Sequence, residues 1–205
     1  ETGIRVNVIS GLEEARMTWR GALLGLPIDS GPYAVVDLGG GSTEIVVGDP
    51  TRSDMVEQRS VEIGTVRLTE QFFGDQPNRY TPAQLAAMRT HITEQLKPID
   101  WARIPRSMIA VAGTATTLAG MELGLKVWDR EQVHGFRLGR TALRKWIDRL
   151  LISTPEERLA WASISPKRAH YLLAGASVLE AVCTASHRDS LWISDGGVRH
   201  GALLG

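Results

Sequence analysis

The sequence of 205 residues has almost no means of forming a disulfide, because Cys183 is its only cysteine. An internal bridge is excluded, and a cytoplasmic setting is the expectation. Net charge is missing as well. Lys plus Arg and Asp plus Glu both total 23, for a formal charge of zero. General nucleic-acid binding needs a basic excess to displace counterions, so it is disfavoured, leaving room only for a local basic channel. No apolar run approaches the roughly 20 residues of a membrane span. No secretory leader pattern, internal repeat or low-complexity tract is visible. The sequence also lacks an initiating Met and opens in mid-pattern at Glu1-Thr2-Gly3, so a piece of something longer is expected. What remains is ordinary globular material, 43% apolar and 22% charged. That suffices for one packed domain, or one with a small subdomain.

The most informative stretch is Val35-Val36-Asp37-Leu38-Gly39-Gly40-Gly41-Ser42-Thr43-Glu44-Ile45-Val46-Val47. It reads as a strand, a tight turn and a returning strand. Three successive glycines allow positive φ and close approach to a ligand. Consecutive N–H groups in such a turn form an anion-binding nest. Asp37 and Glu44 add hard oxygen ligands beside it, a pattern that suits Mg²⁺ next to a phosphate. The plainer reading is a β-hairpin with a glycine-rich turn, but a hairpin needs no flanking acids and hydroxyls.

Along the chain, Ile4, Val6 and Val8 alternate with polar residues and predict a short strand. Ser10 with Glu13 makes a capping box, so a helix starts there, with Leu12, Met17, Ala22 and Leu23 among its apolar members. A third strand is expected from about Met55 to Val66, completing an antiparallel meander. Thr81-Pro82-Ala83-Gln84 opens a helix whose apolar face is Leu85, Met88, Ile92 and Leu96. Ser107–Ala112 reads as a strand running into Gly113-Thr114 and a helix, a second phosphate-turn candidate. From Gly139 to about Ala185 the pattern is helical, with Leu143, Trp146, Ile147, Leu150 and Leu151 on one face. Thr154-Pro155-Glu156-Glu157 caps the next helix, and Ser165-Pro166 starts a longer one carrying Ala169, Leu172, Leu173, Ala176, Leu179 and Cys183 inward. A closing strand, Ser190–Ser194, leads into Asp195-Gly196-Gly197. A three-strand meander followed by alternating helices and strands predicts an α/β, ribonuclease-H-like fold, with ligands at the carboxyl edge of the sheet.

Four segments carry a family resemblance: Val8–Arg16, Val36–Glu44, Ala112–Thr116 and Ser194–Arg199. In that order and spacing the chain resembles the exopolyphosphatase/guanosine pentaphosphate phosphohydrolase (Ppx/GppA) family of the actin-like ATPase superfamily. The resemblance implies two ribonuclease-H-like domains around a cleft. Residues 1–32 would be a hinge strand and helix leading from a first domain, and 33–205 the second domain, with a helical insertion at about 139–165. A first actin-like domain with its own phosphate loop is then the expected partner, and family members often form homodimers. The implied substrates are inorganic polyphosphate or guanosine penta/tetraphosphate, hydrolysed with Mg²⁺. A phosphotransferase or ATPase of the same superfamily and a non-catalytic nucleotide- or alarmone-sensing module are the alternatives.

By that resemblance Glu14 is the general base, whereas alone it reads as an acid favoured by the helix dipole. Arg16 faces a phosphate or is a solvated side chain. Asp37 and Glu44 are associated with the metal. Gly39, Gly40, Gly41, Ser42, Gly113 and Thr114 bind phosphate. His134 is read as structural, and Trp146 and Trp192 as core. Arg137, Arg140, Arg144, Lys145 and Arg149 form a basic cluster, either a solvated face or a rim guiding a polyanion. The chain departs from the family pattern at His170 and His200, where relatives often carry acids.

Overall fold

In a computed structural model of the chain, residues 8–28, 31–51, 56–74, 79–161 and 164–204 are described. The predicted strand over Ile4–Val8 lies almost wholly outside them. The three capping boxes form as read, at Ser10–Glu13, Thr81–Gln84 and Thr154–Glu157. The first opens α1 (Gly11–Leu23), after which β1 (Tyr33–Leu38), β2 (Thr43–Gly48) and β3 (Val56–Val61) form the antiparallel meander. Helices α2 (Thr65–Phe73) and α3 (Pro82–Leu96) lead to β4 (Ser107–Val111) and α4 (Ala112–Glu122). Then come α5 (Arg130–Val133), β5 (Arg137–Gly139), α6 (Arg140–Ile152), α7 (Pro155–Leu159), α8 (Leu172–Ala185), β6 (Ser190–Ile193) and α9 (Val198–Ala202).

Among the described residues six strands form one sheet in the order β3-β2-β1-β4-β6-β5. Strands β1, β4 and β6 are parallel, so their carboxyl ends lie along one edge, while β5 runs antiparallel to β6. The larger core lies between one sheet face and α3, α4, α6 and α8, and holds Ala34, Val36 and Leu38 of β1. Tyr33 and Val35 point to the other face, where they pack with Ala15, Trp19 and Ala22 of α1. The two-residue period of a strand puts Asp37 on that same α1 face.

Four local expectations need correction. The third strand stops at Val61, and Thr65 begins α2, where the sequence reading continued the strand to Val66. Gly64 lies against the Gly40 backbone so closely that a Cβ there would overlap it, and this contact turns the chain into a helix. The buried face of α1 is Ala15, Thr18, Trp19, Gly21 and Ala22, while Leu12 is exposed. Where α9 crosses α1 at backbone contact only a glycine fits: a Cβ on Gly21 would overlap the Gly197 carbonyl. The long helix after Ser165-Pro166 begins only at Leu172. The segment before it is a turn held by Arg158, which is fully buried and donates to Ala169 O at 2.9 Å, Leu150 O at 3.1 Å and Tyr80 Oη at 2.8 Å. Finally, the short strand β5, which ends at Gly139 just before α6 begins, was not read from the sequence.

Candidate active site

The site is built on a row of side chains crossing the meander. Asp37 of β1 is paired with Glu44 of β2, and Glu44 with Ser60 of β3, so all three share the sheet face that α1 covers. Glu44 is oriented by two hydroxyls, accepting at Oε1 from Ser42 Oγ at 2.6 Å and Ser60 Oγ at 2.9 Å. Above this row runs α1. Gly11, Glu14, Ala15 and Thr18 recur at helical spacing and, with Asp37, Ser42, Glu44 and Gln58, enclose a cavity of about 320 Å³. Glu13 is not part of it. Its carboxylate accepts from Ser10 N at 2.8 Å and Ser10 Oγ at 2.7 Å, so the capping box consumes it and leaves Glu14 free to face the cavity.

Asp37 has the most perturbed carboxyl of this cavity. Burial pushes its pKa up to about 6, and the negative charges of Glu44 and Glu14 push the same way. A carboxyl cluster of this kind, with no Lys or Arg among the described residues that line the cavity, fits a bound metal. Among the described residues no three Asp, Glu, His or Cys side chains stand close enough to cage a metal. The donor set therefore suits Mg²⁺, which takes one or two carboxylates and completes its shell with water and phosphate oxygens. Asp37 and Glu44 are the residues that could hold it.

The glycine turn is arranged differently from the sequence expectation. None of Gly39, Gly40 and Gly41 has positive φ. Instead the N-terminus of α2 grips the turn's carbonyls. Thr65 N donates to Gly39 O at 2.9 Å, Val66 N and Arg67 N to Gly40 O at 2.9 and 3.0 Å, and Gly64 N to Gly41 O at 3.2 Å. Arg67 Nε adds a bond to Gly41 O at 2.9 Å. In a trans peptide the next N–H points opposite to the carbonyl, so the N–H groups of Gly40, Gly41 and Ser42 face away from α2. Among the described residues none of the three donates to another backbone group in this turn. These donors could serve an anion.

A second cavity, of about 380 Å³, adjoins the first through Asp37. Its walls include Gly113, Thr116, Trp128, Arg168 and the closing Ser194–His200 turn. The second loop has no separate turn: β4 passes directly into α4 at Ala112, which is held at φ 74°. A non-glycine residue in that region is strained, and such strain concentrates at functional sites. The Arg168 guanidinium crosses Gly113, so that an added Cβ would come within 2.5 Å of Arg168 Nη2 and would displace the arginine tip. Thr114 is buried against Gly175 of α8 and lines neither cavity, so only its backbone is available to an anion. Thr116 takes its place in the wall. Arg16 lines neither cavity, and its Nε is buried without a hydrogen-bond partner among the described residues.

His134 braces the closing turn. Its Nδ1 accepts from Asp195 N at 3.3 Å, while Ser194 Oγ accepts from Gly196 N at 3.0 Å. Burial, followed by the Arg130 charge, lowers the His134 pKa and keeps the ring neutral as an acceptor. His200 lines the second cavity, whereas His170 does not. The basic cluster divides. Arg140 pairs with Asp189 at 3.1 Å and Arg144 with Glu180 at 2.8 Å, while Arg149 lies over the Trp146 and Trp161 rings. Those three serve packing and ion pairing. Ser60, Gln58 and Thr18 were not singled out from the sequence, although the meander register and the helical period would have found them. Arg168 and Trp128 carried no local signal.

The whole chain, residues 1–205, matches the model of the Ppx/GppA phosphatase family. It is 33% identical to Exopolyphosphatase 2 of Mycobacterium tuberculosis over 209 residues, covering 98% of this chain and 64% of that protein. It is 26% identical to a putative exopolyphosphatase of Haemophilus influenzae, covering 97% of this chain and 59% of that protein. Among solved structures, the Aquifex aeolicus PPX-GPPA enzyme superposes with a TM-score of 0.86 at 32% identity, over 98% of this chain and 66% of that one. The chain thus spans a little under two thirds of the length of these curated relatives. Matched over its whole length by that family's model, the chain belongs to the Ppx/GppA phosphatase family.

Proposed function

We propose that this chain supplies one wall of a cleft that hydrolyses phosphoanhydrides, releasing the terminal phosphate of inorganic polyphosphate. The observation that carries the reading is the Asp37 carboxyl, partly buried near a strand end, opposed by Glu44 and Glu14, and flanked by a turn whose N–H groups are aimed outward. The exopolyphosphatase relatives support the substrate class. The opposite wall is assigned to a first actin-like domain, in keeping with the length of the relatives beyond the matched part.

The residues divide the work. The Gly40, Gly41 and Ser42 N–H groups, with Gly113 N–H and Arg168 on the far side of Asp37, bind and orient the terminal phosphates. Positioning and preorganised donors of this kind account for most of phosphoryl-transfer catalysis. Glu14 accepts a proton from the attacking water. Ser42 and Ser60 fix the Glu44 carboxylate, so that Asp37 and Glu44 present oxygens to Mg²⁺. When bound, the metal neutralises phosphate charge. Guanosine pentaphosphate is a second reading, favoured by the apolar ring of Trp128, 42% exposed in the wall of the larger cavity, on which a base can stack.

The test is phosphate release from polyphosphate and from guanosine pentaphosphate by the full-length protein with Mg²⁺. Release from neither substrate overturns the reading, and release from one names the substrate.

A further inference from the structure

On the opposite edge of the sheet from Asp37, the amino ends of β4 and β6 border a third cavity, of about 230 Å³. Its walls are Pro27, Ile28 and Met108. Its polar groups are Arg106, Arg137, Ser107 and Ser190, with Trp192 beside them. No acidic side chain among the described residues lines it. The register explains the convergence. Ile109 is paired with Trp192, which brings Ser107 beside Ser190, and β5 places Arg137 opposite Trp192.

The two arginines differ from the rest of the basic cluster. Arg140, Arg144 and Arg149 are engaged elsewhere, as described above. Arg137 is held in place: its guanidinium lies 5.1 Å from the Trp192 ring centroid, and Nη2 donates to Ser190 Oγ at 2.8 Å. That leaves its remaining N–H groups oriented but unused among the described residues, and the Ser190 hydroxyl proton free to donate onward. Arg106 and the Ser107 hydroxyl have no partner among the described residues. Two guanidinium forks and two hydroxyls around one small volume, with one fork already immobilised, suit a tetrahedral oxyanion better than a planar one.

We propose that this amino-edge cavity is a second phosphoryl-oxyanion site, separate from the cleft at Asp37. The phosphoryl group is either free inorganic phosphate or a distal unit of a polyphosphate chain. The probes are inorganic phosphate and tripolyphosphate, titrated into the ¹⁵N-labelled chain. Backbone amides of Ser107 and Ser190 and the Trp192 indole N–H should shift saturably. Arg106→Glu and Arg106→Gln should each weaken that response at least tenfold while leaving shifts at Gly40–Ser42 unchanged. The anion acting at the lower concentration identifies the source. The spectrum itself reports whether each variant is folded, and Arg106 is exposed on a loop. Unmoved amino-edge signals with both anions overturn the site, as does an unaltered response in a folded Arg106→Gln chain.

Discussion

Asp37 and Glu44 stand directly opposite each other across the β1–β2 pair, on the one sheet face that α1 covers. Like charges in that relationship are destabilising. The third carboxylate, Glu14, comes from a helix rather than the sheet, and it lines the same cavity. The arrangement makes sense for a cation and phosphate site and is unfavourable without one.

The first prediction follows from the Asp37 pKa of about 6 against an ordinary value of 3.8. Between those values the native state binds more protons than the unfolded state, so stability falls as pH rises from about 4 to 6. Above pH 6 the full penalty is present. The difference of 2.2 pKa values corresponds to about 3 kcal/mol as an upper bound. Asp37→Asn should therefore stabilise the metal-free chain at pH 7–8 by about 1–3 kcal/mol and flatten that part of the pH dependence. Urea unfolding from pH 4 to 8 measures it, and a variant less stable than the parent at pH 7.5 contradicts it.

Mg²⁺ should reverse the same penalty. A cation on Asp37 and Glu44 binds the native state alone, so the Tm of the parent chain should rise with Mg²⁺ concentration at pH 7.5. The rise should disappear in Asp37→Asn and shrink in Glu44→Gln. Equal Mg²⁺ shifts in all three proteins would show that the ion binds elsewhere.

Gly64→Ala should damage the turn without touching any acid. The new Cβ overlaps the Gly40 carbonyl, so α2 must move off the Gly39–Gly41 carbonyls it now holds. A loss of roughly 1–3 kcal/mol is expected from the overpacking. Affinity for tripolyphosphate should fall as the turn's N–H groups lose their orientation. Calorimetric titration checks it, and a folded variant with unchanged affinity would show that the turn does not bind phosphate.

Arg158→Leu tests how Arg168 is placed. The buried guanidinium of Arg158 serves the carbonyls of Leu150, Ser153 and Ala169, and its removal leaves them without that donor. A destabilisation of about 3 kcal/mol or more is expected from unmet buried polar groups. Because Ala169 adjoins Arg168, the Arg168–Gly113 contact should loosen too. Denaturant midpoints read the first effect, and a loss confined to less than about 1 kcal/mol would contradict it.

Much of this was legible in the sequence where local chemistry decides the structure. Ser10, Thr81 and Thr154 each formed the capping box that their spacing announced, because caps are made within one turn. The meander and the α3 face Leu85, Met88, Ile92 and Leu96 followed from periodicity. The reading failed where long-range contact overrides pattern. Helix α2 exists because Gly64 meets Gly40, a contact no window across the β3 region contains. Leu12 reads as core by hydropathy, yet α1 buries Ala15, Trp19 and Ala22 and leaves Leu12 exposed, and the glycine at position 21 answers to the α9 backbone. Arg168 reaches Gly113 across 55 positions (168 − 113), and nothing near either residue signals the other.

In the proposed mechanism Glu14 faces the phosphate cleft and accepts the proton of the attacking water. The most direct measurement is phosphate release from polyphosphate with Mg²⁺ by the full-length protein and by Glu14→Gln. Glu14 is exposed and lies outside the capping box, so the substitution should cost at most about 1 kcal/mol of stability. In the variant kcat should be at least 100-fold lower, in the roughly 10²–10⁴ range of a lost general base, with KM within a few-fold. A folded Glu14→Gln protein that keeps the parental kcat would contradict it.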